Sequence, residues 1–334
     1  MLLAIVALAV WLGWVTNRAR TQRQAVEAIL KAGGSVVYEE QLTDEGIRVF
    51  AYRISRNAQP RGPVWLRRLI GDDYFHDVVQ IAIANKKLDA ATLQAISRLN
   101  RVRVRLLWIP NCGLDDDSLA HLAGMHHLRN LNIGYNPISD AGLVHLEGLS
   151  RLENLSLMRT QVRGTGLAHL SRLPRLRRLN LADTPLDDDG VRQLGALDQL
   201  ELLNLDSTRV GDEGLAHLAG LRNLQSLLLS RTRVSDAGLA HLAGLHRPDL
   251  LVLNGTQITG SGLMRLAQLP QLTALDLSST LIDDADLERL KDVRRLGYLT
   301  IMHTRLSDEA VAQLKVAIPK LRVKTKEARR SRSR

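Results

Sequence analysis

The chain has 334 residues, of which 45% are hydrophobic, and its formal net charge at pH 7 is +10. Its single cysteine, Cys112, excludes an intramolecular disulfide and therefore any cystine-stapled cap. The segment from Arg322 onward contains seven basic residues and one acid, so six of the ten net positive charges lie there. The high net charge therefore says little about the rest of the chain.

Residues 1–16 contain no charged side chain and predict a membrane-spanning signal-anchor helix. As a helix they span about 24 Å, slightly less than a hydrocarbon core of ~30 Å. Trp11 and Trp14 would lie at the interface, and the three arginines within 17–23 place the rest of the chain in the cytoplasm. A cleaved signal peptide and a soluble chain with a buried helix are the alternatives. The signal peptide is disfavoured because neither a basic n-region nor a small-x-small cleavage site is present.

Residues 17–77 are predicted to form a linker and an N-terminal α+β cap. Gln22–Ala32 has the pattern of a helix that ends at Gly33-Gly34. Ser35–Glu40 and Ile47–Ile54 favour a hairpin, and Val64–Ile70 favours a short helix. The first unit of a repeat array needs a cap on its unmatched apolar side. A separate ligand-binding domain is the alternative.

Residues 78–321 repeat one phrase at intervals of 24 residues: L-x-x-L-x-L-x-x-T-x-[V/I/L]-[S/T/D]-D-x-G-[L/V]-x-x-L. The register passes without insertion or deletion through Cys112, Asn136, Thr160, Thr184, Thr208, Thr232, Thr256, Thr280 and Thr304, and a looser tenth copy precedes them. A fixed period of this length predicts a solenoid, in which each unit buries its apolar face against its neighbours.

Each repeat is predicted to contain one strand and one short helix. Leu179-Asn180-Leu181 alternates apolar and polar residues, which predicts a strand with its leucines inward. In Asp236–Leu242 the leucines are three apart, which predicts a helix with one apolar stripe. Parallel strands pair ~4.8 Å apart whereas helices need about 8–10 Å, so the array must curve. We expect an α/β right-handed horseshoe with a concave parallel sheet and convex short helices.

These repeats resemble leucine-rich repeats, in particular the subtype with the pattern L-x-x-L-x-L-x-x-C/T-x-I-T-D-x-G-L, found in bacterial multi-repeat proteins and beside F-boxes. The resemblance implies the solenoid fold but not a particular function. No convincing F-box is present in 17–77, so a ubiquitin-ligase role is not implied.

No catalytic pattern is present, and we therefore expect a protein that is not an enzyme and has no cofactor. The acidic runs, such as Asp115–Asp117 and Asp187–Asp189, lie at the first turns of the repeat helices, where carboxylates cap free N–H groups. His121, His145, His169, His217 and His241 form a broken column that a semi-exposed position explains, so no metal is expected. The threonine column is expected to satisfy backbone groups where each strand ends.

The outward side chains of the predicted strands are the candidate binding surface. They include the aromatic, basic and aliphatic residues Trp108, Arg129, Tyr135, Arg159, Arg178, Leu202, Leu228, Val252 and Tyr298. Arginines dominate this face in the early repeats and acids in the later ones, which would orient a partner of complementary polarity. Large amphipathic rings and apolar patches on a surface are typical of binding sites.

The sequence thus favours a membrane-tethered scaffold that binds an unidentified protein or peptide on the concave sheet. The alternative is an extracytoplasmic receptor for a glycan or cell-wall ligand, with asparagines such as Asn132, Asn180 and Asn204 as hydrogen-bonding groups. The basic tail, 322–334, is expected to be disordered and solvated. Nucleic acid is disfavoured because the repeats have no continuous basic stripe.

Overall fold

The structure is a computed structural model, and it describes residues 2–39 and 77–325. The chain divides into two compact units, Met1–Ser156 with Arg172–Arg175, and Leu157–Ser171 with Leu176–Arg334. Each unit consists of parallel strands followed by short helical segments, with the leucines of the repeats between them.

The first unit begins with one continuous helix, α1 (Leu2–Lys31). Its second half packs against the unit through buried side chains that include Ala25, Val26 and Ile29. Gln22 is also buried, and its Oε1 accepts a hydrogen bond from the Val78 N–H at 3.4 Å. The predicted end at the glycine pair is confirmed, because Gly33 follows α1 with a φ of +79°.

The prediction of a single-pass membrane protein is wrong. Within 2–39 and 77–325, no helix is long and apolar enough to cross a membrane. The uncharged segment spans only about 24 Å as a helix, and α1 continues from it directly into the polar half that packs on the first unit. The predicted membrane partner and the cytoplasmic orientation depended on that anchor and fall with it.

The strands of the first unit form a sheet in chain order: β1 (Ser35–Tyr38), β2 (Val78–Ala82), β3 (Leu106–Trp108), β4 (Asn130–Asn132) and β5 (Asn154–Ser156). β1 pairs antiparallel with β2, and the remaining pairs are parallel. From β3 onward the paired residues are 24 apart, as in Leu131 and Leu155. The predicted partner strand 47–54 and the helix 64–70 lie outside the described residues, so the cap stays a prediction.

The strands of the second unit also follow chain order and are all parallel: β6 (Arg178–Asn180), β7 (Leu202–Asn204), β8 (Ser226–Leu228), β9 (Leu250–Val252), β10 (Ala274–Asp276), β11 (Tyr298–Thr300) and β12 (Arg322–Lys324). The central leucines of these strands, such as Leu203 and Leu227, are no more than 2% exposed. Leu205 and Leu229 are fully buried, which confirms the inward assignment.

Helical segments follow the strands and mix two geometries. The α-helices after α1 are α2 (Ala90–Ser97), α3 (Asp188–Val191), α4 (Asp212–Leu218), α5 (Asp236–Leu239), α6 (Gly260–Leu266), α7 (Asp284–Leu287) and α8 (Asp308–Ala317). Segments of 3-10 helix are Arg98–Arg101, Asp117–Leu122, Asp140–Leu146, Thr165–Arg172, Arg192–Ala196, Ala240–Gly244 and Glu288–Asp292. The predicted helical segments after the strands are confirmed, although several of them are 3-10 helices, which are wound more tightly than an α-helix.

The threonine column satisfies backbone carbonyls, as predicted. From Thr160 to Thr304, each Oγ1 donates to the carbonyl three residues earlier, at 2.6–3.0 Å. Asn136 takes the same position and is buried. Its amide group donates to three carbonyls, among them that of Ile109, and its Oδ1 accepts from the N–H groups of Cys112 and Leu114. The column therefore closes the turn that follows each strand.

The acidic runs do two different things. The first carboxylate caps its own helix, as predicted: Asp187 accepts from the Gly190 N–H at 3.2 Å. The second reaches the following repeat, because Asp188 accepts from the Gly211 N–H at 2.6 Å and Asp284 from the Ser307 N–H at 2.7 Å. The capping prediction thus covers only half of this acidic motif.

Candidate functional site

The outward face of each unit consists of two sets of side chains. One set flanks the buried central residue of each strand, and the other is the pair of residues just before the threonine column. These side chains point away from the leucine core because successive residues of a strand alternate between its two faces. The helical segments and the buried leucines lie on the opposite side of the sheet from these side chains.

In the first unit, three predicted binding residues lie on the outward face. Trp108 ends β3, is half-buried and lies beside Asn132 in the sheet register. Tyr135 is 43% exposed. The Arg129 guanidinium is 3.6 Å from the Glu153 carboxylate, so its charge is partly balanced within the unit. Neither aromatic ring is enclosed by the aliphatic core.

A left-handed backbone position precedes the threonine column in successive repeats. Non-glycine residues there have φ values of +52° to +59°: Asn85, Asn111, Tyr135, Arg159, Asp183, Ser207, Arg231, Ser279 and His303. A side chain in this region costs roughly 1–2 kcal/mol. At Arg159 and Asp183 the N–H nevertheless donates to a carbonyl of the next repeat at 2.8–2.9 Å. The chain reverses sharply here, and Tyr135 and Arg159 are exposed.

In the second unit, four aliphatic side chains form an apolar patch on the outward face. Leu202, Leu228, Leu250 and Val252 are all half-buried. Leu228 lies directly beside Val252 in the parallel register, and Leu202 and Leu250 both lie beside Ser226. Leu228, Leu250 and Val252 are neighbours on adjacent strands ~4.8 Å apart, and Leu202 lies diagonally from Leu228, with Ser226 between it and Leu250. We call these four residues the aliphatic patch.

Charged groups near the aliphatic patch are paired one repeat apart. The Arg177 guanidinium donates to Glu201 at 2.7 Å, and the Arg159 guanidinium is 3.4 Å from the Asp183 carboxylate. Arg178, the remaining predicted basic residue, is half-buried. Pairing of this kind reduces the predicted gradient of charge along the outward face.

Burial raises the pKa of the Asp206 carboxyl above its ordinary value, while a hydrogen bond from the Ser230 N–H acts in the opposite direction. The distance from that nitrogen to the Asp206 carboxylate is 2.6 Å. Asp206 follows β7 and is half-buried near the aliphatic patch. The raised pKa of Asp206 therefore reflects a partly desolvated position on the surface.

Tyr298 is 54% exposed and has a partner that the sequence analysis missed. Arg322 donates to the phenolic oxygen at 3.3 Å, and its guanidinium carbon lies 5.5 Å from the ring centroid. The two residues are 24 apart and pair in β11 and β12, and Arg177 and Glu201 are likewise 24 apart. The period itself was therefore the signal that could have found this pair. The prediction of a disordered tail is wrong for Arg322–Lys324, which pairs with β11.

The asparagines proposed for sugar binding are largely engaged in the fold. Asn132, Asn180 and Asn204 each accept, through Oδ1, the N–H two residues further on, at 2.8–3.0 Å. Asn130 and Asn154 are buried, and the Asn154 amide donates to Asn130. Their regular role in the strands explains their recurrence without a glycan.

Within 2–39 and 77–325, no group of three or more His, Cys, Asp or Glu side chains is placed to hold a metal ion. Four of the five column histidines are half-buried and His241 is exposed, as a semi-exposed position predicts. Cys112 is buried, and burial raises the pKa of its thiol. A raised thiol pKa disfavours the reactive thiolate.

Strands stacked at a period of 24 residues, each followed by a short helix, define a solenoid of the class that presents extended binding surfaces. The family model described as Leucine Rich repeat matches residues 124–146, which correspond to about one repeat. The chain is a leucine-rich-repeat protein, and that fold is in general a scaffold for protein interaction.

Two solved structures from Listeria monocytogenes str. 4b F2365 are similar to this chain. An internalin C2 is 26% identical, with 62% of this chain and 84% of that chain covered and a TM-score of 0.48. An internalin described as inlF is 18% identical, with 79% and 94% covered and a TM-score of 0.43. No curated protein matches the sequence.

Proposed function

We propose that the chain is a non-catalytic scaffold that binds a protein or peptide on the outward face of the second unit, centred on the aliphatic patch. The observation that carries this proposal is the half-exposure of four neighbouring aliphatic side chains in three consecutive strands. Apolar groups that cluster on a surface are typical of interaction sites.

The fold does not require aliphatic residues at these positions. The position of Leu228 and Val252 in the repeat is occupied by Asn180, Asn204 and Asp276 in other strands of the same unit. Those polar residues accept local backbone N–H groups, which leucine and valine cannot do. Aliphatic residues therefore forgo a local hydrogen bond here, and burial against a partner would compensate for it.

The surroundings of the aliphatic patch suit a polypeptide partner. Glu201 and the exposed Asp249 lie directly before β7 and β9, and Arg177 and Arg178 lie at the adjacent strand β6, where Arg177 pairs with Glu201. These residues provide charged groups beside the apolar group. An apolar centre with a polar rim is the usual arrangement of protein interfaces. Side chains of an extended segment or a helix of the partner would supply the matching apolar groups.

The first unit offers a second contact region with a different composition. Trp108 and Tyr135 provide amphipathic rings, and Arg129 provides a charge that Glu153 partly balances. Tryptophan, tyrosine and arginine are the residues most enriched among binding hot spots. We propose that this region contributes to the same class of interaction, with a polypeptide as ligand.

Affinity capture from the native lysate with matched variants tests the proposal. The variant Leu228→Ser with Val252→Ser removes the centre of the aliphatic patch and should reduce capture of the specific partner at least tenfold. The control variant Leu281→Ser with Val316→Ser removes two aliphatic side chains that are 67% and 81% exposed elsewhere, and it should capture normally. Quantitative mass spectrometry of the captured proteins provides the measurement.

A parallel variant, Trp108→Ala with Tyr135→Ala, probes the first unit in the same assay. Thermal melting of every variant establishes that the fold is intact before captures are compared. Equal capture by the wild type, the Leu228/Val252 variant and its control would refute the aliphatic patch as the binding site. Direct titration of the purified partner against the same variants then gives the loss of affinity.

A further inference from the structure

A cavity of about 290 Å³ lies in the first unit, between α1 and the 3-10 segment Arg98–Arg101. Trp14 and Arg18 line it from α1, and Arg98 and Arg101 line it from the opposite side. A volume near 300 Å³ is at the lower end of the range for small-molecule pockets. The cavity is separate from the outward face on which the proposed function depends.

Among the described residues, three arginines and no acidic residue line this cavity. Arg18 forms an ion pair with Asp77, and its guanidinium carbon lies 5.6 Å from the centroid of the Trp14 ring. These two contacts hold the Arg18 head in a fixed position beside an aromatic surface.

Arg98 and Arg101 are different, because both are exposed and neither has an ion pair or a hydrogen bond from its side chain to any residue of 2–39 or 77–325. Three arginines with one acid beside them leave an excess of two positive charges at the cavity. Asn17 and Asn100 also line it, and asparagine can supply neutral hydrogen-bonding groups.

We propose that this cavity binds a small soluble phosphate monoester. Arg98 and Arg101 hold the phosphate oxygens, since a guanidinium presents parallel N–H donors that match phosphate geometry. The organic part of the ligand lies against Trp14, beside the Arg18 guanidinium, whose charge Asp77 already balances. A phosphate monoester carries a charge of about −1.5 to −2 near pH 7, which balances the excess charge of the cavity.

Isothermal titration calorimetry of the full chain with phenyl phosphate, at low ionic strength, tests the proposal. Phenyl phosphate combines the phosphate monoester with a ring that can lie against Trp14, and phenol provides the matched probe without phosphate. We expect the wild type to bind phenyl phosphate and not phenol. Absence of binding at millimolar phenyl phosphate would overturn the proposal.

The variant Arg98→Ala with Arg101→Ala should weaken phenyl phosphate at least tenfold. The control Arg172→Ala with Arg175→Ala removes two exposed arginines with the same R-L-x-R spacing away from the cavity, and it should change affinity less than twofold. Equal losses in the two variants would show that general charge attracts the anion and would overturn the site. The single variant Arg101→Gln keeps a polar side chain of similar reach, and it should lose several-fold affinity without a change in thermal melting.

Phosphatidylcholine vesicles that contain phosphatidic acid present the same phosphate monoester on a lipid. Capture of the chain by these vesicles, with no binding of soluble phenyl phosphate, would overturn a soluble ligand for this cavity. Binding of soluble phenyl phosphate that depends on Arg98 and Arg101 supports it.

Discussion

The carboxylate of Asp236 connects two repeats, and its removal tests how the solenoid holds its units in register. One oxygen accepts the Thr259 N–H at 2.8 Å, and the other accepts the hydroxyls of Thr259, at 2.5 Å, and Ser261. A Cβ added at Gly262 would lie 2.3 Å from Oδ1 of this aspartate. The carboxylate therefore occupies the space that a side chain at position 262 would fill.

The expected loss of stability follows from the hydrogen bonds that replacing Asp236 removes. Asp236→Ala leaves the part-buried Thr259 N–H without its acceptor, at a cost of about 1–2 kcal/mol, and frees two hydroxyls at about 1 kcal/mol together. We expect a total loss of about 2–3 kcal/mol. Gly262→Ala forces its new methyl against the carboxylate and should cost about 1–3 kcal/mol.

The double variant distinguishes this account from two independent defects. Without the carboxylate, the nearest atom to a methyl at position 262 is a Leu239 Cδ1 at 3.1 Å, and alanine gains helix propensity over glycine within α6. Asp236→Ala with Gly262→Ala should therefore be at least about 1 kcal/mol more stable than the sum of the single losses predicts.

Urea unfolding of the four chains, followed by circular dichroism, measures this coupling. Because repeat arrays can unfold unit by unit, hydrogen exchange at the Thr259 amide provides a local measurement in parallel. Single losses that add to within about 0.5 kcal/mol would refute the proposed contact between the carboxylate and Gly262.

The stability difference between the wild type and Asp236→Ala should depend on pH, and the pKa of Asp236 determines the direction of that dependence. Burial raises the pKa of Asp236, but hydrogen bonds from Ser261 and Thr259 outweigh it, so the pKa lies below the ordinary value of 3.8. A group with a lowered folded pKa contributes stability above its unfolded pKa and loses it as the pH falls through the folded pKa. The stability difference between wild type and Asp236→Ala should be full above pH 3.8 and should shrink below it. A difference that grows on acidification would contradict this assignment.

Further substitutions test the core and the spacing of the repeats. Leu205→Ala or Leu229→Ala opens a cavity at a fully buried position and should cost about 2–5 kcal/mol, and unchanged thermal melting would contradict the inward assignment. Gly164→Ala places a Cβ 2.1 Å from the Cα of Gly190 at a φ of +129°, and it should cost about 3 kcal/mol or more. Gly220→Ala, whose Cβ would meet nothing within 4 Å, is the control and should melt like the wild type.

The strands and the core could be predicted because both depend on short-range patterns. Alternation with a period of two identifies the central leucine of each strand, and the repeat of 24 residues places Leu131 beside Leu155. The threonine column could be predicted for the same reason, since its hydrogen bonds reach only three residues back along the chain. Contacts between residues this close in sequence can be predicted without a tertiary structure.

The role of the second aspartate could not be predicted in this way. Within its own repeat, Asp236 lies in the first turn of a helix, where a carboxylate usually caps that helix. Its actual donors come from Thr259 and Ser261 in the following repeat, and only the register of neighbouring units brings them close.

The N-terminal segment shows a related limit. The uncharged run within 1–16 suggested an anchor, but the relevant unit is the whole of α1, whose second half is buried at Ala25 and Ile29. Periodicity within the run did not show that the helix continues into a packed segment.

Comparison of the repeats with one another separates the scaffold from its recognition surface. Threonine and aspartate recur at the positions of Thr232 and Asp236 in other repeats. Thr232 donates to a carbonyl in the turn after its strand, and Asp236 accepts an N–H of the following repeat. The outward position is different: it contains Trp108 in β3, Asn204 in β7 and Val252 in β9, although the backbone pairing is the same. Because the same backbone pairing accommodates an aromatic, a polar and an aliphatic side chain at this position, we propose that specificity for a partner is encoded where the repeats differ.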